Sequence, residues 1–198
     1  MEGLRNGSLP KRWTCLSCCC CLFTACALRC CLKTRRSCSC HSPLIPRPNR
    51  RQEQKQAWRQ AHNRNIRLAE NASQQTDVVF LGDSITERFL GTDLEELRGR
   101  HRDKVQAFQE LFTRAGGGTV DGVPLGISGD RSTALLYRLQ HGELPRTLNP
   151  PVFWILVGTN DLGEECTPET ISVGILRVVQ EVWIHKPQSV IVISGLLP

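Results

Sequence analysis

The feature that most constrains the fold is a buried strand that runs directly into a polar turn. Residues 78–81 read Val-Val-Phe-Leu, and such a run of β-formers is typical of a strand buried on both faces of a parallel sheet. Gly82, Asp83 and Ser84 follow at once. Because ligands bind beyond the carboxyl ends of strands in open α/β sheets, Ser84 stands where a nucleophile would be useful. The tripeptide alone is also typical of a turn followed by a helix N-cap.

The chain from about residue 57 onward alternates strand and helix patterns. Apolar runs predict strands at 77–81, 123–127, 152–157 and 189–194. The stretches between them predict helices at 86–97, 103–114, 131–140 and 167–186. This alternation implies right-handed crossovers, so we predict an α/β fold with a three-layer α/β/α, flavodoxin-like parallel sheet. Pro124 favours an edge strand, and Phe153 and Trp154 are predicted core residues.

Three of the predicted strands end in glycine-rich or polar turns. The turns are Gly82-Asp83-Ser84, Gly126-Ile127-Ser128-Gly129-Asp130 and Gly158-Thr159-Asn160-Asp161. All three lie at the carboxyl ends of parallel strands, so we expect them to meet along one edge of the sheet.

The residue types in these turns suit acyl transfer, which needs a nucleophile and donors aimed at a developing oxyanion. Ser84 would be the nucleophile. The Gly129 N–H and the Asn160 side-chain amide would be oxyanion-hole donors, with the Ser84 N–H as a third. Gly82, Asp83 and Gly158 would be supporting residues. Taken singly, Gly129 is also typical of a plain turn and Asn160 of an Asx-turn.

Charge and cysteine are both concentrated near the amino terminus. Residues 1–70 carry 14 Lys and Arg against 3 Asp and Glu, a net charge of +11, whereas residues 71–198 carry 11 against 16, a net charge of −5. An acidic folded part argues against a nucleic-acid partner. Ten of the eleven cysteines lie in 15–40, and Cys18–Cys21 are consecutive, which fits no regular metal-ligand spacing. We therefore predict no metal site, and we interpret Cys166 as an ordinary loop thiol.

The amino-terminal segment, residues 1–32, has the character of a targeting or anchor sequence. Residues 13–28 are apolar apart from Thr and Ser and are flanked by basic residues, although a full span needs about 20 residues. A signal-anchor, a cleaved secretory signal and a palmitoylated membrane contact all remain open. We expect membrane contact through residues 13–32 and a membrane-associated or secretory location, or a cytoplasmic one if this segment is not a signal. Residues 33–56 are predicted to be a disordered basic linker.

These motifs resemble the SGNH (GDSL-type) hydrolase family, whose four motifs supply Ser, Gly, Asn and His. Ser84, Gly129 and Asn160 match the first three. Other stretches look like the type Ib platelet-activating factor acetylhydrolases within that family: Trp58-x-x-x-His62-Asn63-Arg64, Arg138-Leu139, Gly142-Glu143-Leu144 and Gly195-Leu196-Leu197-Pro198. The resemblance covers about 57–198. It implies a serine esterase of small ester or lipid substrates, without metal or organic cofactor, that forms a homodimer.

The fourth motif, Asp-x-x-His, has no match. None of His41, His62, His101, His141 and His185 has an Asp three residues before it. We therefore interpret 57–198 as an incomplete domain, truncated at its carboxyl terminus, whose general base is unknown and absent from this chain. A serine without a base is a weak nucleophile, so little activity is expected. Two alternatives stay open: a non-catalytic flavodoxin-like binding module, and a membrane-tethered interaction protein.

Overall fold

The computed structural model describes residues 40, 42–49, 55–72, 75–94 and 96–195. The predicted anchor at 13–32 and much of the predicted linker lie outside these residues. Among the described residues, no helix combines the length and the apolar character that a membrane crossing requires.

The described residues form one four-stranded parallel sheet and one short hairpin. The bounds of the strands in the main sheet are Val78–Gly82 (β1), Gly122–Gly126 (β4), Val152–Leu156 (β5) and Val190–Ile193 (β6). The hairpin strands are Thr92–Asp93 (β2) and Glu96–Leu97 (β3). The order of the main sheet is β4-β1-β5-β6. The predicted parallel sheet is confirmed, and so is the edge position of the strand that contains Pro124, within the part of the chain that the structure describes.

The helices connect these strands and flank the sheet. Their bounds are Lys55–Asn71 (α1), Ser84–Glu87 (α2), Arg102–Phe112 (α3), Ser132–Arg138 (α4), Thr159–Gly163 (α5) and Pro168–His185 (α6). Short 3-10 turns occur at Arg88–Leu90, Gly99–His101 and Arg114–Gly116, and a π turn at Leu139–Glu143 follows α4. Thr167 caps the start of α6, since its hydroxyl accepts a hydrogen bond from the Thr170 N–H at 3.3 Å.

Alternate residues of the central strand point to two cores. Val79 and Leu81 of β1 face α4 and α6, where Leu135 and Val178 are fully buried. The opposite face, through Phe80, packs edge-on against Phe108 and Phe112 of α3. The period-2 alternation of the strand thus produces the helix–sheet–helix layers.

The predicted helix at 86–97 is wrong. The first turn is helical, but it ends at Glu87, and Gly91 adopts a left-handed φ of +79° before the β2–β3 hairpin. Glycine tolerates this conformation without strain, which lets the chain reverse there. The Glu87 carboxylate then accepts the Leu94 N–H at 3.1 Å, a tertiary contact that holds the reversed chain and that helical periodicity does not encode.

The prediction of Trp154 as a core residue is also wrong, although Phe153 is fully buried. Trp154 points to the α3 side of the sheet, where its ring lies 6.1 Å from that of Phe80, and 39% of its surface remains exposed. Phe108 and Phe112 of α3 pack on Phe80 of β1, one strand away, and part of the Trp154 ring is left uncovered.

Two interpretations of the amino-terminal cysteines and linker need correction. Cys166 is not a free loop thiol: it forms a disulfide with Cys40, with Cα atoms 5.5 Å apart. Residues 42–49, assigned to the disordered linker, are ordered against the domain, since the Arg47 N–H donates to the Thr133 carbonyl at 3.0 Å. Prolines at 43, 46 and 48 limit the conformational freedom that ordering must remove. The prediction of disorder considered only hydrophobicity and charge, and so it left this effect out.

Candidate active site

Ser84 is the first residue of α2, at the carboxyl end of the central strand β1. The Asp83 carboxylate caps this short helix by accepting the Ile85 N–H at 2.9 Å. A side chain at Gly82 would lie only 2.5 Å from the Leu156 carbonyl oxygen, so the tight turn requires glycine there. Ser84 itself is half-buried, as a group that receives a substrate should be.

Gly129 lies in the loop after β4, next to β1 in the sheet. Its φ of +82° is in the left-handed region, which glycine adopts readily. The loop is tied to the short helix that begins at Ser84, because the Ser128 N–H donates to the Glu87 carboxylate at 2.6 Å. The Gly129 carbonyl accepts a hydrogen bond from the Asn49 side chain at 3.1 Å.

Asn160 lies in α5, which follows β5 on the other side of β1. Its amide nitrogen is 2.8 Å from the Asp130 carbonyl oxygen and 3.5 Å from an Asp83 carboxylate oxygen. Asp130 directly follows Gly129, and Asp83 directly precedes Ser84. The three turns predicted to share one edge therefore do share it, with the Asn160 side chain between the other two.

A buried arginine lies directly behind these turns. The Arg138 guanidinium, fully shielded from solvent, donates to the Asp130 carboxylate at 2.7 Å and to the Gly82 carbonyl at 2.8 Å, and it pairs closely with Glu143. One side chain thus joins the end of β1 to the Gly129 loop. Because the guanidinium is rigid and planar, bonds from its separate nitrogens to different partners fix its orientation as well as their distances.

The same network extends to α1. The Trp58 indole N–H donates to Asp130 at 2.6 Å, and a ring nitrogen of His62 lies 2.9 Å from Glu143. Burial raises the pKa of Asp130 to about 6, against the opposing effect of Arg138 and Trp58. Arg138, Glu143, Trp58 and His62 were noticed in the sequence only as family-like segments. Their buried role was missed because charged and polar residues are usually exposed, and a stretch such as Arg138-Leu139 carries no sign of burial.

A second network orders the hairpin beside the Gly129 loop. Burial alone would raise the pKa of Glu87, but hydrogen bonds from Ser128 and Leu94 and the nearby Arg64 outweigh it and lower that pKa. Asp93 behaves similarly: hydrogen bonds from His101, Arg100 and Ser128 overcome the effect of burial and hold its pKa well below its usual range. The sequence offered no signal for Glu87, which falls within the helix predicted at 86–97.

Two further carboxyls near Ser84 have pKa values that burial raises. Asp83 is one, with the negative Asp161 adding to the effect and the Ile85 N–H opposing it. Asp161 is the other, although it accepts hydrogen bonds from the Ser132 N–H at 3.0 Å and hydroxyl at 2.9 Å. Raised carboxyl pKa values are frequent at functional sites.

The hydrogen bonds of the four described histidines go to groups other than Ser84. His62 contacts Glu143, His101 contacts Asp93, and His141 and His185 contact the carbonyls of Tyr137 and Glu181. His41 lies outside the described residues. Among the described residues, a histidine base for Ser84 is therefore not identified.

Fold and site together define a parallel α/β protein with a serine turn at its strand ends, and the comparisons place it among hydrolases. The chain belongs to the GDSL-like lipase/acylhydrolase family, which its residues 80–198 match. The resemblance to the SGNH hydrolases inferred from the motifs is thereby confirmed.

The chain is also similar to individual proteins of known name and to solved structures. The chain is 30% identical over 141 residues to the platelet-activating factor acetylhydrolase IB subunit alpha1 of Homo sapiens, covering 71% of this chain and 51% of that protein. The alpha2 subunit of Rattus norvegicus matches with the same identity, over 71% and 52%. The chain thus spans about half the length of the curated relatives it matches. A solved structure from Streptococcus pneumonia, described with reference to platelet activating factor, has the same fold, with a TM-score of 0.52 and 21% identity over 71% of this chain and 55% of that one.

Proposed function

We propose that this chain carries an SGNH-type serine esterase site that cleaves acyl or acetyl esters through an acyl-serine intermediate. The observation that carries the proposal is the position of Asn160, whose amide contacts the residues adjoining both Ser84 and Gly129. Family membership supports the hydrolase class. The names of these relatives, which are acetylhydrolases of platelet-activating factor, support a small ester or lipid as the substrate.

In the proposed reaction, the Ser84 Oγ attacks the ester carbonyl carbon while a general base takes the hydroxyl proton. The carbonyl oxygen becomes an oxyanion, which the Ser84 N–H, the Gly129 N–H and the Asn160 amide would stabilise. Collapse of this intermediate breaks the carbon–oxygen bond, and the leaving alcohol takes the proton. Water then attacks the acyl-serine, releasing the carboxylic acid and restoring Ser84.

The base is the missing component of this proposal. Because the described histidines contact other groups, we expect Ser84 to react slowly, with hydroxide or an added amine acting as the base. Loss of a triad member still leaves the acceleration that an oxyanion hole and binding supply, on the order of 10³–10⁴ over water.

Covalent labelling with an alkyl fluorophosphonate tests the proposal without requiring turnover. Attack by the Ser84 oxygen forms a phosphorus–oxygen bond, breaks the phosphorus–fluorine bond and releases hydrogen fluoride. We expect one adduct per chain, mapped to Ser84 by peptide mass spectrometry, whose rate of formation rises with pH and with added imidazole.

Matched serine variants make the labelling test specific. Ser84→Ala should remove the adduct, whereas Ser172→Ala, on the exposed side of α6, should leave it unchanged. A protein that is folded by circular dichroism but gains no adduct on Ser84, even with imidazole, would contradict the proposal.

A non-catalytic binding module is the second candidate, favoured by the engagement of the described histidines elsewhere. It predicts reversible binding of the reagent without covalent labelling. Membrane contact through residues 13–32 and a homodimer both stay predictions, since the described residues do not bear on them.

A further inference from the structure

The segment 42–49, which we name the strap, lies against the helices and loops of the candidate site. The Arg47 N–H bonds to Thr133 near the start of α4. Pro43 packs beside Gly174 of α6, where a Cβ on the glycine would come within 3.4 Å of the Pro43 Cβ. The strap ends at Asn49, whose side chain donates to the Gly129 carbonyl at 3.1 Å.

The contact with Gly129 restrains a glycine, the residue type with the greatest backbone freedom. Gly129 has a left-handed φ, and glycine can leave that conformation at little cost. The Asn49 amide also lies 3.4 Å from where a Gly129 Cβ would be, so it borders the glycine on that side. A donor fixed on the Gly129 carbonyl favours one conformation of the residue and so one direction of its N–H.

The residue two positions before the strap, Cys40, is attached to the Asn160 side of the site. Cys40 is joined by its disulfide to Cys166, in the loop between α5 and α6. The Cys166 N–H in turn donates to the Asp161 carbonyl at 3.2 Å, next to Asn160. The strap and the preceding Cys40 therefore connect the Gly129 loop, through Asn49, to the loop that follows the Asn160 helix, through the disulfide.

We propose that Asn49 is a positioning residue of the esterase site, that it holds Gly129 in its donor conformation, and that the Cys40–Cys166 disulfide secures the strap that carries it. The inference rests on the proposed function, because Gly129 must be an oxyanion donor for its orientation to affect reactivity. Asn49 itself does not contact the reacting atoms. The consequence is that reduction of the disulfide lowers the reactivity of Ser84.

Two measurements on the full chain test this, namely fluorophosphonate labelling of Ser84 and amide hydrogen exchange across 127–131. Asn49→Ala should lower the maximal labelling rate by about tenfold, less than the 10²–10³ that direct removal of a donor costs, with little change in reagent affinity. The same variant should speed exchange across 127–131. Asn49→Asp, which keeps the size but loses the donor, should act in the same way.

Asn149→Ala is the matched control, since Asn149 also donates to a carbonyl, that of Arg146, but precedes the amino end of β5. Its labelling should stay within about twofold of the parent. Cys166→Ser should lower labelling in the same direction as Asn49→Ala. The double variant should be little worse than either single one, since both changes release the same strap.

The outcomes separate this inference from the proposed function. Faster exchange with slower labelling supports both. If the parent chain never labels Ser84, the esterase proposal and the catalytic role of Asn49 both fail, and faster exchange in Asn49→Ala would still support a strap that orders Gly129. Unchanged exchange and labelling in Asn49→Ala overturn the strap. Faster labelling in Asn49→Ala also overturns it, because Asn49 would then obstruct the site.

Discussion

The two halves of the sheet, β4 with β1 and β5 with β6, differ in which side chains they bury and which they expose. Behind β4 and β1, the charged side chains of Arg138, Asp130 and Glu143 are completely buried and paired. Around β5, β6 and α6, large apolar side chains face solvent, with Val190 61% and Trp183 62% exposed. The candidate site lies at the end of the first half, where Ser84 and Gly129 are placed.

The comparison indicates that the buried charges of this fold set the geometry of the candidate site. Burying an ion pair gives little net stability compared with a well-packed apolar core, but removing one partner is severe. Arg138 contacts the carbonyl that ends β1 and the residue after Gly129, so its pairing sets the separation of two turns. On α6, in the apolar half, the buried Glu181 pairs with Arg177 at 2.7 Å, but the exposed apolar side chains of that half should tolerate change.

The largest expected effect is that of Arg138→Met. Replacement leaves two fully buried carboxylates without their cation, so we expect a loss of about 3–5 kcal/mol in the free energy of unfolding, measured by urea titration. Arg59→Met, at an exposed position of α1, should change it by less than about 0.5 kcal/mol. Adding Glu143→Gln to Arg138→Met should recover part of the loss. An Arg138→Met protein as stable as the parent would contradict the network.

Two tryptophans compare the halves directly. Trp58→Phe removes the indole donor to buried Asp130 and should cost about 1–3 kcal/mol in unfolding free energy. Trp183→Phe, on the exposed face of α6, should lie within about 0.5 kcal/mol of the parent. Equal losses at the two positions would abolish the distinction between the halves.

The pH dependence of stability tests the hairpin beside Gly129. The folded-state pKa of Asp93 is lowered, so its ionised form contributes stability above the ordinary carboxyl pKa, and this contribution is lost as pH falls through the lower folded value. Asp93→Asn should cost about 1 kcal/mol near neutral pH. That difference should shrink in urea titrations between about pH 4 and pH 2. The exposed Asp103→Asn should show no such convergence.

The smallest effect is expected on the apolar half. Leu176→Gln, at an exposed position of α6, should leave the unfolding midpoint nearly unchanged, within about 0.5 kcal/mol. It should reduce concentration-dependent light scattering, because exposed apolar side chains favour association. A large loss of stability would mean that Leu176 is covered in solution.

Features that depend on residues close together in the sequence could be predicted, whereas contacts between residues far apart in the sequence could not. The strand runs and the Gly82-Asp83-Ser84 turn are local patterns, and they located the parallel sheet and the edge where Asn160 meets Asp83. The helix predicted through Gly91 was wrong because a tertiary contact of Glu87 competes with helical periodicity. Cys40 and Cys166 are 126 positions apart, so their proximity has no local signature. The roles of Ser84, Gly129 and Asn160 stay predictions.

A crystal structure of the fluorophosphonate adduct tests most directly whether Ser84, Gly129 and Asn160 form one catalytic site. The expected result is phosphorus on the Ser84 Oγ and a phosphonyl oxygen about 2.7–3.1 Å from the backbone nitrogens of Ser84 and Gly129 and the Asn160 amide nitrogen. A phosphonyl oxygen directed to solvent, or an adduct on another residue, would contradict it.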